Sequence, residues 1–418
     1  MEVTAASVDI TPSQLLPTAC HGPFNVPSRA VVLPFEANIL ALRADGRTLV
    51  MVSLDWFFTS PGLRARILER SAGLLDEASL FVAASHAHTS PATDPTKVGF
   101  SAVDPGYIGW AENAIADRVA EVLRGGQWQP ARLRFATTAC DPGINRRHKI
   151  WWPKESWSRR VMFLHPNPSG PRDRELRLLR VEDEAGQLLS VIWGISCHPT
   201  EWPQYRELSS DYPGGVRQAL RTHLGSPIPV LFLQGFCGDL RPRATGWWMR
   251  RGSWKRRLLL LVSHLVNGPG FTGFTPAEYR GWMESIAAAA QRAAGEAAKA
   301  PPLATQLVLH RTSIALSDLG LSGETSRVTF HWFDLSDQLR VTGLSAEPCW
   351  AYAQTMQQAF RGKTVWPVGY IDSVFGYLPT QAMLPEGGYE VKGFRELFGI
   401  RGEFVSNLEE TIGALVSS

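Results

Sequence analysis

Histidines are the first residues in this 418-residue chain that could do chemistry. His86 and His88 flank a single alanine, directly after the apolar run Ala78-Ser79-Leu80-Phe81-Val82-Ala83-Ala84. In extended chain, residues two apart point the same way, so this spacing puts both imidazoles on one face. Two histidines at the carboxyl end of a buried strand suit a metal ion or acid/base work. Two exposed loop histidines are the plain alternative. His198 ends another apolar run, Ile195-Ser196-Cys197-His198-Pro199, where it reads as a third ligand or as a structural histidine. Asp239 closes Gln234-Gly235-Phe236-Cys237-Gly238-Asp239, a strand running into a glycine-bracketed turn. Glu347 follows the strand-like Leu339 to Leu344, and a carboxylate there is a ligand or an ordinary surface acid. Tyr377 and Tyr389 sit in glycine-flanked loops, as polar site groups or as packing anchors.

The elements that must position these residues alternate in type. Residues 37–55 read as two strands around an Asp45-Gly46 turn. A helix is expected over 62–75, then a short buried strand over 79–84. Helical spacing runs through 107–124, with Ile108, Ala111, Ile115, Val119 and Val122 on one face. Strands are expected at 176–181, 188–196 and 229–233, helices at 212–223 and 276–299, and strands at 303–315, 326–333 and 339–344. The alternation predicts an α/β (α+β) fold, with mixed β-sheets flanked by helices and the candidate site at strand ends. The best linker, 267–276, has site motifs on both sides, so residues 1–418 read as one domain.

Composition narrows the function classes. Apolar residues make up 44% and charged residues 19%, which excludes a disordered or collagen-like chain. The net charge of +3 gives no support for nucleic-acid binding. No apolar run reaches the length of a membrane span. The N-terminus has neither the basic nor the apolar region of a secretory signal. Five cysteines without a CxxC pair read as reduced thiols, so a cytoplasmic location is expected.

Taken in order, these segments resemble the catalytic domain of the neutral ceramidase family, which are zinc-dependent amidases. The similar segments are Ala6-Ser7-Val8-Asp9-Ile10-Thr11-Pro12, Ser85-His86-Ala87-His88-Thr89-Ser90 and Ile144-Asn145-Arg146-Arg147. Cys197-His198-Pro199-Thr200, Ser210-Asp211-Tyr212-Pro213-Gly214 and the turn ending at Asp239 follow. Gly376-Tyr377 with Gly387-Gly388-Tyr389-Glu390 complete a colinear set from residue 6 to residue 390. The resemblance implies one Zn²⁺ per chain, held by His86, His198, Glu347 and Tyr377. It implies His88 as a catalytic residue beside the metal-bound water, and Arg146 and Tyr389 as groups that bind the substrate or the transition state. Such a set leaves a position open for water, as catalytic zinc requires. His88 would move the proton, and Arg146 with Tyr389 would meet the developing oxyanion. N and O ligands also suit other divalent ions. A second, structural Ca²⁺ or Mg²⁺ stays open as an alternative, although the sequence shows no clean carboxylate cluster for it.

Three departures bear on the substrate. Ceramidases carry a Ser shortly after the Gly-Asp pair, where this chain has Arg241. The family's C-terminal β-sandwich domain and secretory signal are missing from this sequence. The expected reaction is therefore zinc-dependent cleavage of an amide bond in a small or medium N-acyl compound other than ceramide. Arg241 and Asp239 would bind that substrate, Arg241 through an anionic group on it; an Arg241 turned to solvent and an Asp239 that only holds its own turn are the plain alternatives. A zinc esterase or lactonase, or a hydrolase dedicated to one biosynthetic intermediate, would use the same residues. A non-catalytic ceramidase-like binding protein is a third class. Trp/Arg-rich insertions near 151–160 and 244–275 hold six of the 15 Trp. They read as a lid or substrate wall, a weak membrane-surface contact, or a subunit contact, and the lid is favoured because each follows a site motif.

Overall fold

The computed structural model describes residues 1–20, 24–152, 160–247 and 254–417. The first elements are β1 (Glu2–Asp9), β2 (Glu36–Ala44), β3 (Arg47–Leu54), α1 (Leu63–Arg70), β4 (Leu80–Ala84) and α2 (Pro105–Gly125). Next come β5 (Gln129–Ala139), β6 (Gly143–Trp151), β7 (Arg160–Asn167), β8 (Glu175–Asp183), β9 (Leu188–Ile195), α3 (Asp211–Leu224), β10 (Val230–Gln234) and β11 (Leu240–Pro242). The chain continues through α4 (Trp254–Asn267), α5 (Pro276–Lys299), β12 (Thr305–Ala315), β13 (Arg327–Ser336), β14 (Leu339–Leu344), β15 (Glu347–Pro348), α6 (Ala351–Ala359), β16 (Thr364–Val368) and β17 (Tyr377–Leu378).

Eight strands form one mixed sheet in the order β10-β9-β8-β5-β1-β2-β3-β4. The β2–β3 hairpin turns at Asp45 and Gly46, both with positive φ, as the sequence predicts. Helix α2 starts at Pro105, with the Asp104 carboxylate accepting from the Tyr107 N–H at 2.7 Å, a cap worth about 1 kcal/mol. Helix α5 opens on a Thr275/Glu278 capping box.

Strand alternation sorts the core into layers. Val50, Val52 and Leu54 of β3 pack on one face with α1 and α2, while Leu49 and Met51 pack on the other. In the same way Val230 and Phe232 of β10 face α3 and α5, while Leu231 and Leu233 face away. That second face is covered by a four-stranded sheet, β12-β13-β14-β16, through Phe333, Val341 and Trp366. The fold is thus α/β (α+β), helices on one face of the large sheet and a second sheet on the other.

The large sheet also curls. The Ser53 hydroxyl of β3 donates to the Phe232 carbonyl of β10 at 2.7 Å and accepts from its N–H at 3.0 Å. This brings the parallel pair β3/β4 beside the parallel pair β9/β10, with their carboxyl ends together. Strands β14 and β16, also parallel, end at the same edge.

Candidate metal centre

Each site histidine follows one of those strand ends. The chain leaves β4 at Ala84 and turns, with His86 in the left-handed region at φ +64°. The two imidazoles therefore meet through this turn and not through extended-chain alternation. His86 Nδ1 lies 3.0 Å from the Phe57 carbonyl, and His198 Nδ1, beyond β9, lies 2.8 Å from the Cys237 carbonyl. A carbonyl only accepts, so both Nδ1 atoms carry the hydrogen and both Nε2 atoms present lone pairs.

Those lone pairs converge. The Nε2 atoms of His86 and His198 are 3.2 Å apart, and His88 Nε2 is 3.3 Å from His86 Nε2. Glu347 Oε2 lies 3.3 Å from the Nε2 of both His86 and His198. His86, His198 and Glu347 are fully buried, and His88 is half-buried. Acceptors packed this closely, with no hydrogen between them, need a cation. An ion about 2.0–2.1 Å from its ligands sets tetrahedral ligand–ligand edges of about 3.3 Å, which these distances match. The second carboxylate oxygen, Glu347 Oε1, is buried and has no hydrogen-bond partner among the described residues. Burial pushes the His198 pKa down to about 4, so the ring is neutral and ready to ligate. The cluster can hold a metal ion.

The other predicted residues fall at different distances from this point. Tyr377 is the register partner of Glu347 across β15 and β17. Its ring centroid is 5.3 Å from that of Tyr389 and 5.3 Å from the Arg146 guanidinium. Arg146 Nε donates to Glu390 Oε1 at 2.8 Å, and Arg147 Nη1 donates to Glu390 Oε2 at 2.7 Å. Arg146 Nη2 is buried and has no partner among the described residues. Burial disfavours the Arg146 charge, but Tyr377 and Glu390 more than offset this and hold its pKa above the usual value.

Asp239 does not face a substrate, contrary to the sequence expectation. It is fully buried, and both its oxygens are engaged, by the Trp350 N–H at 2.7 Å and by Asn145 Nδ2 at 2.8 Å. Its carbonyl accepts from the Arg146 N–H at 2.8 Å, so it pins the Arg146 strand to the loop after Glu347. Arg241 does line a cavity of about 800 Å³ that also reaches Tyr389, Trp152, Phe163 and Phe271. Its guanidinium is already paired with the buried Glu201 at 2.5 Å and lies 4.7 Å from the Phe271 ring. Of the Trp-rich insertions, residues 153–159 and 248–253 lie outside the described residues, Trp157 and Trp248 among them.

Sequence reading missed several contributors. Tyr370, at φ +58°, stacks on His86 at 4.2 Å, with its hydroxyl 3.3 Å from Glu347 Oε2 and 3.0 Å from Cys237 Sγ. Nothing in the surrounding residues marks it. Glu390 was legible in principle, because two adjacent arginines in a buried strand demand an acid. Glu201 follows the His198 motif by three residues and carries the same kind of signal.

No protein-family model matches the chain, and no curated protein sequence does. Solved structures do. One is the neutral ceramidase of Pseudomonas aeruginosa, with a TM-score of 0.74 at 16% identity, covering 100% of this chain and 73% of that one. The fold is that of neutral ceramidase. A ceramidase complexed with C2 matches equally, with a TM-score of 0.73 at 16% identity, over 100% of this chain and 74% of that one. The ceramidase fold spans this whole chain, and the histidine cluster lies within it at the strand ends. Among the described residues no helix is long and apolar enough to cross a membrane.

Proposed function

We propose that the chain is a metal-dependent amide hydrolase acting on an N-acyl substrate. One observation carries this reading: the Nε2 lone pairs of His86 and His198 and the Glu347 carboxylate converge at 3.2–3.3 Å with no hydrogen to share, and His88 Nε2 lies 3.3 Å from His86 Nε2. His86, His198 and Glu347 would hold the ion, with Tyr377 beside Glu347 as a further ligand, and a donor set of this type favours zinc. A zinc ion bound there supplies Lewis acidity and lowers the pKa of an attached water to about 7. The ceramidases of the same fold support an amide as the bond cleaved.

The chain's own residues divide the remaining work. His88, the more exposed imidazole, takes the proton of the attacking water and returns it to the leaving nitrogen. Arg146 directs its unpaired Nη2 hydrogens, with the Tyr389 hydroxyl, at the carbonyl oxygen as it gains charge. Glu390 fixes that guanidinium, and Asp239 fixes its backbone. The 800 Å³ cavity beside Tyr389 receives the organic part of the substrate, with Arg241 and Phe271 in its wall.

The 3.3 Å spacing of His88 from His86 supports a second arrangement, with His88 as a ligand. The His88→Ala variant separates the two. Retained zinc, with acyl-amide hydrolysis reduced by about 10²–10⁴-fold, supports the proton-transfer role. Loss of zinc moves His88 into the ligand set. A wild-type protein that binds zinc yet turns over no member of an acyl-amide panel would defeat the amidase reading.

A further inference from the structure

The cavity beside Tyr389 carries a charge that the proposed chemistry does not use. Among the described residues its wall includes Arg241 and Lys392 and no Asp or Glu. Lys392 is exposed, and its ammonium has no carboxylate partner among the described residues. Arg241 is paired but not used up. Its Nε and Nη2 both reach one oxygen of Glu201, Oε1, at 2.6 and 2.5 Å. Nη1, with two N–H groups, has no hydrogen-bond partner among the described residues. Glu201 offsets the Arg241 charge. That leaves Lys392 as the net positive charge of this wall and Arg241 as its directed donor.

The rest of the wall favours an anion at these two groups. The buried Glu201 and the Phe271 ring, 4.7 Å from the guanidinium, hold Arg241 in place, so gripping a ligand costs little further side-chain entropy. Trp152 and Phe163 stack with ring centroids 5.4 Å apart and planes 30° apart. Apolar walls of this kind limit the screening of a nearby charge by water. Guanidinium and ammonium groups bind carboxylates and phosphates through charge-assisted hydrogen bonds.

A backbone irregularity ties this wall to the reacting centre. Tyr389–Gly393 is a π-turn, with the Phe394 N–H donating to the Tyr389 carbonyl at 3.0 Å. One turn therefore carries Tyr389, Glu390 under Arg146, and Lys392 in the cavity wall. We propose that Arg241 and Lys392 form a subsite for an anionic group on the substrate, a carboxylate or a phosphate, so that the preferred substrate is an anionic N-acyl compound. The bond cleaved rests on the hydrolytic reading above; the charge preference rests on the cavity alone.

The test is kcat/KM of the full chain on two sets of matched acyl amides. Each set carries a carboxylate, a phosphate or a neutral amide, on the amine side in one set and at the end of the acyl chain in the other. An anionic member is expected to be favoured roughly tenfold or more over its neutral counterpart in one set, and the preference should shrink as salt rises. Lys392→Gln should cut the preference by roughly tenfold through KM, Lys392→Glu by more, and Lys392→Arg should keep it. The side chain is exposed, so all three variants should melt at the wild-type temperature. Equal use of anionic and neutral members in both sets, or the same preference in wild type and Lys392→Glu, overturns the subsite. Turnover of no member at all defeats the hydrolytic reading and leaves the subsite to calorimetry with the same N-acyl carboxylates and phosphates. Binding that Lys392→Glu weakens then supports it, and no binding, or binding that the variant does not change, overturns it.

Discussion

The Glu390→Gln variant tests how the site holds its anion-binding arm. Glu390 is buried, with one oxygen on Arg146 Nε at 2.8 Å and the other on Arg147 Nη1 at 2.7 Å. Glutamine keeps the shape but removes the charge, and its amide nitrogen must face one guanidinium. Two buried cations then lose their only fully buried counter-charge among the described residues; Glu386, 31% exposed, still reaches Arg147 at 3.4 Å. Breaking a buried pair from one side costs about 3–5 kcal/mol, and the retained glutamine oxygen puts this case near 3 kcal/mol. With an unfolding entropy of about 2.1 cal/mol/K per residue, a chain of this length should melt about 3–4 °C lower. Activity should suffer more than stability. Arg146 Nη2 stays aimed only while Nε is held, and losing one oxyanion donor costs roughly 10²–10³-fold in kcat. The assay pairs a melting curve with kcat and KM on an acyl amide, the loss falling on kcat. Unchanged melting and unchanged kcat together would refute the reasoning.

Further expectations follow from neighbouring contacts. Arg241→Ala should strand the buried Glu201 charge and cost about 3 kcal/mol; in the Arg241→Ala/Glu201→Gln double variant most of that should return, and strictly additive chemical-denaturation losses would show that the pair is uncoupled. A Cβ on Gly238 would stand 2.5 Å from the Glu347 carbonyl oxygen, so Gly238→Ala should displace β15, destabilise by about 1–3 kcal/mol and lower metal occupancy; full occupancy at wild-type stability would contradict the packing described. Burial pushes the Asp211 pKa up to about 6 from an ordinary 3.8, so its native state favours the proton. Its contribution to stability is present below about pH 4 and is lost, by about 3 kcal/mol, as pH rises to about 6. Asn at this left-handed position removes the titration, so Asp211→Asn should gain on wild type between pH 4 and pH 7 in urea midpoints; parallel pH profiles would count against it.

The sequence was most legible where periodicity was strong. Strand β14 has the expected ends, and α2 and α5 fall within two residues of theirs, because buried strands and long amphipathic helices write their period plainly. The helix expected over 62–75 stops at Arg70, where Ala72 and Gly73 take positive φ. Strands β5 and β6 were missed, since Arg, Thr and His interrupt their apolar residues and leave no clean hydrophobic pattern, and β7 was missed although Val161 to Leu164 is an apolar run. At the site, residue type alone left His86, His88, His198 and Glu347 each with a plain alternative, and only their order along the chain, through the resemblance it carries, singled them out. Their meeting point depends on the curl that Ser53 pins to Phe232, a contact 179 residues apart in sequence that no local pattern announces. Tyr370 escaped for the same reason, and Asp239 was misread because a glycine turn near a ligand strand looks alike whether its acid faces a substrate or braces the wall.

Metal content, measured by elemental mass spectrometry on protein purified without added metal, tests the central claim most directly. The account predicts about one zinc per wild-type chain and a stoichiometry near zero in a His198→Ala variant that remains folded. A wild-type protein that carries no metal and takes up none from zinc solution would contradict it, because the converging lone pairs of His86, His198 and Glu347 would then have no ion to face.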